Sequence, residues 1–553
     1  MLAVRYFFLK VWNSPNSKAV QFQFLPRQNG VSIVVCADDF LYDDDLRNQH
    51  AARRPRLNQT PESPRSSAAD PIRIFGKGHV VPYGHLAAAL LCGVLLRWFF
   101  ISHFNPFAGD AKFYEELARN WLTHGVYGRN LHGQLLPSDE RVPGYPALLA
   151  AIYKTLGQSR VAVASVQVVI DLMTCVLTAL IAARLAPVAK RTFTATIALW
   201  LAALCPFTAS YTGVVLTETL ATFFTALAVL IFICALTHPD MNISRSAISN
   251  NLVLKYVGWF FLGGIIVGLA TLVRAETPLL LLALGLALCV RWWRPQNWWK
   301  LALAILWVGA GLILPLSPWA ARNVLQVGQL QFLAPPHSET PGDHVLPGFY
   351  DWTQTWLIRF HDAYSVSWKI GEKSPIDINS IPNYAFDSPD ERAQVSELIN
   401  EYNKRALITP ALNFQFAQLA EERAARHPVR TYIAIPIERA WWMWFTPRIE
   451  LLPYSGNLWP MRQAWRNNAT EFAATLALGI LNYIYVGMAL VGAWKFRGRA
   501  GISFLLTFLV IRTAFLTQLQ TVEPRYVMVC FPAVLVLCAL AWVKPRVAVD
   551  SPM

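Results

Sequence analysis

The sequence is poor in charged residues. They make up 15% of its 553 residues, whereas apolar residues make up 54%, and a typical soluble chain carries about 25% charged residues. This composition excludes an ordinary soluble protein and is typical of a polytopic membrane protein. The formal net charge of +14 is therefore not a nucleic-acid signal, and we predict no nucleic-acid partner.

Cysteine is missing from the polar part of the chain. None of the 8 cysteines falls in the long polar segment 320–472, and no CxxC motif or Cys/His pair at zinc-ligand spacing occurs. The sequence therefore predicts neither a disulfide framework nor a zinc site. We expect the cysteines of the apolar runs to be buried thiols.

Residues 1–80 lack the basic start, apolar core and small-residue cleavage site of a signal peptide. The stretch 53–67 is polar, basic and rich in proline. Two interpretations are open: a disordered cytoplasmic tail, or translated sequence upstream of the true start.

Apolar runs dominate the rest of the chain, and a helix needs about 20 mostly apolar residues to cross a bilayer. The sequence therefore predicts an all-α polytopic membrane protein of about ten transmembrane helices. The predicted runs are 82–103, 161–183, 192–211, 214–236, 257–273, 276–290, 301–319, 473–493, 502–520 and 526–543.

The basic residues predict how these spans are oriented. The connections 184–191, 291–300 and 495–499 carry Lys and Arg but no Asp or Glu, as is typical of cytoplasmic loops. Placing them inside leaves both termini cytoplasmic and puts 104–160 and 320–472 on the opposite side. We thus predict a transmembrane module 82–319 that includes the first outer loop, a large outer loop 320–472, and C-terminal helices 473–545.

Helical periodicity is also present outside the spans. The spacing of apolar residues predicts an amphipathic helix over 111–124, and 143–157 is too short to cross and predicts a helix lying in the outer interface. In the large loop, 390–406 has a helical pattern that Ser388-Pro389 would start.

Two acidic residues lie just outside apolar runs. Asp110 follows the first span, and Glu218 stands at the head of a later one. A carboxylate near hydrocarbon costs several kcal/mol unless it is solvated, paired or metal-bound. Each acid has a structural interpretation besides a role in chemistry. Asp110 would cap the helix 111–124, and Glu218 would be an ion-paired residue at a helix start.

A set of short motifs occurs in a fixed order. They are Arg97, then Gly109-Asp110 with Tyr114, Leu117 and Ala118, then Glu140-Arg141-Val142-Pro143-Gly144-Tyr145-Pro146, then Leu216-Thr217-Glu218, then Pro318-Trp319 with Arg322, Asn323 and Gly328, and finally Arg525-Tyr526. Over 82–545 this order resembles the C-fold (GT-C) membrane glycosyltransferases that use polyprenyl-phosphate sugars. The nearest groups are bacterial relatives of protein mannosyltransferases, lipid A aminoarabinose transferases and lipopolysaccharide-core glycosyltransferases.

The resemblance implies an inverting glycosyltransferase in the bacterial inner membrane, with its active site facing the periplasm. It implies three kinds of partner: a polyprenyl-phosphate sugar donor, an acceptor that is a glycolipid, a polysaccharide or a protein, and membrane lipids. Asp110 matches the acid that acts as base or supports it, and Glu218 matches the second acid. Glu140 and Arg141 match an acidic-basic pair beside the donor phosphate, although the aminoarabinose transferases have Lys at the second position.

Four arginines are candidates for contacting the donor phosphate, because a guanidinium binds phosphate oxygens in bidentate fashion. They are Arg141, Arg274, Arg322 and Arg525, with Tyr114, Tyr145 and Tyr526 as supporting residues. The alternatives are pairing of Arg274 with Glu276 and, for any single arginine, snorkelling to the interface. Arg512, deep in a predicted span, needs an acid or a water-filled cavity.

Metal dependence is left open by the sequence. Carboxylates without a His or Cys cluster suit a hard cation such as Mg²⁺ or Mn²⁺, and Asp110, Glu140 and Glu218 are the candidate ligands. The alternative function is a secondary transporter or lipid flippase. Such proteins often show inverted repeats and broken helices near the middle of the membrane, and we find neither pattern in the sequence.

Overall fold

A computed structural model describes residues 80–104, 109–131, 133–237, 250–294, 297–334, 347–371 and 373–544. The chain divides into the units Met1–Arg73 and Ile74–Met553, and every described residue lies in the second unit. The predictions made for the N-terminal tail therefore lie outside the described residues.

The described residues are almost entirely helical. The helices are α1 (Tyr83–His103), α2 (Gly109–His124), α3 (Gly144–Leu156), α4 (Arg160–Leu185), α5 (Arg191–Ala203), α6 (Pro206–Ser210), α7 (Glu218–Leu236), α8 (Asn250–Thr271), α9 (Leu279–Arg291), α10 (Trp298–Gln326), α11 (Gly348–Gln354), α12 (Phe360–Asp362), α13 (Trp368–Gly371), α14 (Pro389–Arg405), α15 (Pro410–Arg426), α16 (Ile435–Trp444), α17 (Met461–Asn467), α18 (Ala469–Phe496), α19 (Ala500–Leu516) and α20 (Phe531–Ala541). The two strands are β1 (Gly128–Leu131) and β2 (Gln134–Pro137), which pair as an antiparallel hairpin.

The helices confirm the predicted all-α polytopic fold. Among the described residues, 6 helical segments are long and apolar enough to cross a membrane: α1, α4, α7, α10, α18 and Pro524–Ala541. One bent pair and the shorter apolar helices Val257–Thr271, Leu279–Arg291 and Ala500–Leu516 account for the remaining predicted runs.

The predicted run 192–211 is broken rather than continuous. Val188–Ala203 and Pro206–Gly213 meet at an angle of 43°. Cys205 has extended backbone angles, φ −69° and ψ 110°, because the ring of Pro206 disfavours helical geometry in the residue before it. The following run also starts later than predicted, since α7 begins at Glu218.

Close helix contacts hold the bundle together. Every residue of α20 is buried, so this helix lies at the centre of the apolar core. A Cβ on Gly264 of α8 would lie 2.3 Å from the Val308 carbonyl oxygen of α10, and one on Gly311 would lie 2.2 Å from that of Phe261. These reciprocal glycines let the two backbones touch, as is typical of membrane helix pairs.

The predicted first outer loop 104–160, named the first outer segment, contains α2, the β1–β2 hairpin and α3. The helices confirm those predicted over 111–124 and 143–157, whereas the hairpin was not predicted. The Asn120 side chain of α2 donates to the Gly128 carbonyl at 2.9 Å, which attaches the hairpin to the helix. The buried side chains of Tyr145 and Leu149 on α3 pack in one cluster with Ala118 of α2.

The predicted large outer loop 320–472, named the large outer segment, has an apolar core among its described residues. Phe349, Trp352 and Phe416 are fully buried there, and Val527 of the last span packs into the same cluster. The predicted helix is confirmed as α14, and the Ser388 hydroxyl accepts from the Glu391 amide as its N-cap. The described part of 320–472 is thus largely helical and packs around this core.

Candidate active site

Asp110 lies in the first turn of α2, where the helix dipole favours a negative charge. Its carboxylate faces two guanidinium groups. Nη2 of Arg525 donates to Oδ2 at 2.9 Å, and Nη2 of Arg141 lies 3.9 Å from Oδ1. The Asp110 carboxylate is thus held between the first outer segment and the start of the last span.

Glu218 is the first residue of α7 and is buried. Nη1 of Arg274 donates to its Oε1 at 3.0 Å, and Nε of Arg525 lies 3.9 Å from the same atom. The other oxygen, Oε2, is buried and accepts no hydrogen bond from the described residues. Glu218 is thus an ion-paired acid at a helix start with one unused acceptor.

Arg525 joins the two predicted acids. Besides Asp110 and Glu218 it contacts Glu523, whose Oε2 lies 2.5 Å from Nε. One guanidinium therefore lies between three carboxylates that come from three separate parts of the chain. Asp110 and Glu218 thus face the same guanidinium, at 2.9 and 3.9 Å.

The charged network continues inward from Glu218. Nε of Arg274 donates to Oε1 of Glu276 at 2.7 Å, so the alternative pairing predicted for Arg274 is present. Nη2 of Arg512 donates to the same Oε1 at 3.1 Å. The acid that Arg512 needs is therefore Glu276.

The network also continues outward from Asp110. Nη1 of Arg141 lies 3.8 Å from Oε1 of Glu140, and Nη1 of Arg129 donates to Oε2 of Glu140 at 2.8 Å. Nε of Arg129 lies 3.6 Å from Glu116. Both ion-pair distances of Arg141, to Glu140 and to Asp110, are longer than a hydrogen bond.

Exposure falls along this network. The side chain of Arg141 is 36% exposed and that of Asp110 is 29% exposed, compared with 3% for Glu218. Asp110 and Arg141 therefore form the accessible end, where a ligand meets the charges first.

Burial and the arginines act in opposite directions on the carboxylates. Burial raises the pKa of Asp110, but Arg525 and Arg141 outweigh it and hold the pKa below its ordinary value. For Glu523 burial dominates and raises the pKa even beside Arg525. Two acids that contact the same guanidinium are thereby shifted in opposite directions, a pattern found where acid and base roles are divided.

Three predicted tyrosines line this centre. The rings of Tyr114 and Tyr145 meet edge to face at 5.2 Å, and the Tyr145 hydroxyl donates to Gln167 at 3.0 Å. The Tyr526 hydroxyl donates to Oε1 of Glu523 at 2.7 Å. Burial raises the pKa of Tyr114 to about 12, so its hydroxyl stays protonated at neutral pH.

Arg322 is not brought into the network. Its guanidinium donates to the Ser138 carbonyl at 2.9 Å and to the Tyr127 carbonyl at 2.5 Å. It also lies 5.1 Å from the Trp319 ring. Arg322 was predicted to contact the donor phosphate, but the structure places it at the junction of α10 with the first outer segment.

Two buried arginines that sequence reasoning missed fix the segment carrying Glu523 and Arg525. Nη1 of Arg439 donates to the carbonyls of Thr517 and Leu519 at 2.9 and 3.0 Å. Nη1 of Arg448 donates to the Pro524 carbonyl at 3.2 Å. Neither forms a salt bridge with an acid among the described residues, and both donate to backbone carbonyls instead.

The residues present do not fit a divalent cation held by Asp110, Glu140 and Glu218. Within the part of the chain that the structure describes, no group of three or more His, Cys, Asp or Glu side chains lies close enough to hold a metal. Each of the three carboxylates accepts a hydrogen bond from a guanidinium at 2.8–3.0 Å. A cation bound at any of them would be repelled by the positive charge of that arginine.

The fold and site together define a polytopic helical membrane protein in which acids and arginines from several spans meet in one charged centre. No protein-family model and no curated protein matches the chain.

Among solved structures, the chain is similar to the oligosaccharyltransferase AglB from Archaeoglobus fulgidus, in complex with an inhibitory peptide and a dolichol-phosphate. The TM-score is 0.46 at 14% identity, over 83% of this chain and 50% of that one. A structure of the archaeal enzyme with Zn and sulfate gives 0.44 at 15% identity, over 83% and 48%. This chain thus spans about half the length of the archaeal protein.

The chain is also similar to ArnT from Cupriavidus metallidurans bound to undecaprenyl phosphate. The TM-score is 0.35 at 13% identity, over 83% of this chain and 77% of that one.

Proposed function

We propose that this chain is an inverting membrane glycosyltransferase that moves a sugar from a polyprenyl-phosphate donor to an acceptor hydroxyl. The observation that carries the proposal is Arg525, which contacts Asp110 and Glu218 at 2.9 and 3.9 Å. A carboxylate next to a guanidinium at the exposed end of the site supplies a base and a phosphate contact together.

Arg141 and Arg525 are the proposed contacts for the donor phosphate. Arg141 is the more exposed of the two, and its carboxylate neighbours lie 3.8 and 3.9 Å away. A phosphate that approaches these arginines competes with Asp110 for their charge. Arg274 already pairs with Glu218 and Glu276, so its proposed role is to hold Glu218 in place instead of binding phosphate. The proposed role of Arg322 is to pack α10 against the first outer segment.

Asp110 is the proposed base. As the acceptor oxygen forms its bond to the anomeric carbon, the bond from that carbon to the phosphate oxygen breaks, and its electron pair stays on the phosphate. The proton of the acceptor hydroxyl passes to the Asp110 carboxylate. Arg141 and Arg525 stabilise the negative charge of the leaving polyprenyl phosphate.

Glu218 is the proposed second acid, and its contacts favour a positioning role. It holds Arg274 and faces Arg525, while its unused oxygen can accept one further hydrogen bond. Glu140 holds Arg129 in the same way. Tyr114 and Tyr145 shape the wall behind Asp110, and Tyr526 orients Glu523.

The predicted orientation completes the proposal. The site faces the periplasm of a bacterial inner membrane, both termini lie in the cytoplasm, and the acceptor is a glycolipid, a polysaccharide or a protein hydroxyl in the cell envelope. The transferred sugar is a hexose or a pentose.

Mass spectrometry tests the function directly. Envelope glycolipids, polysaccharides and glycoproteins are compared between cells with the gene, cells without it, and cells complemented with the wild-type or Asp110→Asn chain. We expect one class to lose a single sugar increment without the gene and to regain it only with the wild-type chain. Identical envelopes in all four strains, combined with altered uptake of a small molecule, would instead support a transporter.

Replacing Arg141 with Gln is expected to shift the pH dependence of transfer. Arg141 helps to hold the pKa of Asp110 low, so its loss raises that pKa, and the base becomes protonated at higher pH. The acid limb of kcat/KM should therefore move to higher pH, and kcat/KM should fall about tenfold or more, because a charge-assisted contact contributes about 1.5–3 kcal/mol.

Arg119→Gln on the exposed side of α2 is the matched control, because it removes the same charge from the same outer segment. It should leave both the acid limb and the donor KM unchanged. An acid limb that stays in place in Arg141→Gln would rule out electrostatic control of Asp110 by Arg141.

A further inference from the structure

A second charged feature lies where the large outer segment joins α18. A cleft of about 300 Å³ is lined by Met461, Arg462, Trp465 and Arg466 of α17 and by Phe472 of α18. This volume is at the lower end of the roughly 300–1,000 Å³ that small-ligand sites occupy. The Trp465 and Phe472 rings meet edge to face at 5.8 Å and form its apolar wall.

The two arginines of this cleft are uncompensated. They stand four residues apart on α17, where like charges face each other and destabilise a helix, and neither forms a salt bridge with an acid among the described residues. The nearby carboxylate of Glu471 is already engaged, because it accepts from the amide and hydroxyl of Ser455 at 2.6 Å each. A bound anion would offset this repulsion.

An apolar stripe leads away from the cleft along α18. Leu476, Ile480 and Ile484 follow Phe472 at intervals of four residues and therefore lie on one helix face. They are 37%, 52% and 52% exposed, and α18 is one of the helices long and apolar enough to cross a membrane. Side chains so placed meet hydrocarbon in a bilayer.

Tryptophan and arginine together are typical of a segment at the membrane interface. Trp459 and Trp465 are exposed beside the cleft, and a single residue, Asn468, separates α17 from α18. The cationic end of the cleft is thus directly continuous with the apolar face of a span.

We propose that Arg462 and Arg466 bind the phosphate of an anionic membrane lipid whose chain lies along the Leu476–Ile484 face of α18. A soluble anion would use the arginines alone, whereas a lipid uses the arginines and the stripe. This site is separate from the Asp110 centre, and its ligand need not be the sugar donor.

Native mass spectrometry of the full chain in neutral detergent tests the proposal. The probes are dihexanoyl phosphatidylglycerol, dihexanoyl phosphatidylcholine and inorganic phosphate, each titrated against wild type and Arg462→Gln/Arg466→Gln. Because each interfacial arginine contributes about 1 kcal/mol toward anionic lipid, the double variant should bind phosphatidylglycerol about 30-fold more weakly. Binding of phosphatidylcholine should be equal in both proteins.

Lys404→Gln/Arg405→Gln is the matched control, since it removes two exposed positive charges from α14, and it should bind phosphatidylglycerol like wild type. Three results would overturn the proposal: equal phosphatidylglycerol binding by wild type and the cleft variant, an equal loss in the control variant, or displacement of the lipid by inorganic phosphate at the same concentration. The last would indicate a site for soluble anions.

Discussion

Asp110→Asn is expected to lower the rate of sugar transfer by about 10²–10⁴-fold, the usual contribution of a positioned general base. The amide keeps the size of the side chain and can still accept from Arg525, but it cannot take the acceptor's proton. The donor KM should change much less than kcat. The measurement is transfer in isolated membranes or in purified protein supplied with a lipid-phosphate sugar.

The control for this variant is Glu115→Gln on the same helix. Glu115 faces Arg160 at 3.3 Å, outside the proposed machinery, so neutralising it should leave kcat unchanged. If Asp110→Asn transferred sugar at the wild-type rate with an unchanged melting temperature, Asp110 would not be the base. If both variants slowed equally, the effect would lie in the stability of α2.

Arg525→Ala is expected to have the largest effect on stability. Its removal leaves Asp110, Glu218 and Glu523 without the guanidinium that lies between them, and Glu218 and Glu523 are almost fully buried. Removing one partner of a buried ion pair costs about 3–5 kcal/mol. The unfolding transition in detergent should therefore fall clearly, and transfer should be lost.

Two further variants separate charge from geometry at this position. Arg525→Lys keeps the charge but loses the planar fork, so it should recover most of the stability and little of the transfer. Arg525→Ala/Glu523→Gln should recover part of the stability, because one buried carboxylate no longer needs a partner. An Arg525→Ala protein that melts like wild type would mean that the three acids do not depend on this arginine.

The fold was largely predictable because hydropathy alone separates spans from loops. The apolar runs, the amphipathic helices and the start of α14 at Ser388-Pro389 all follow from local patterns. The break before Pro206 is equally local, since a proline inside an apolar run signals a bend, but hydropathy alone does not distinguish a bent run from a straight one. The hairpin 128–137 was missed because its strands of 4 residues carry little periodicity.

The candidate site was predictable in its residues but not in its pairings. Asp110, Glu218, Arg141 and Arg525 stood out because charges are rare beside apolar runs. That Arg525 lies between three acids depends on how distant spans pack, which the sequence of a single chain does not give. The role of Arg439 could not be predicted for a related reason: its partners are backbone carbonyls, and every residue has one.

The alternation of acids and arginines from Glu116 through Arg141, Asp110, Arg525 and Glu218 to Arg512 has a consequence for inheritance. Each interior member contacts a neighbour of opposite charge on either side, so replacing one removes a partner from two others, although each of these keeps a further partner. A substitution at one position therefore alters the charge balance at positions far away in the sequence, and we expect the members of this network to vary together among descendants of this gene.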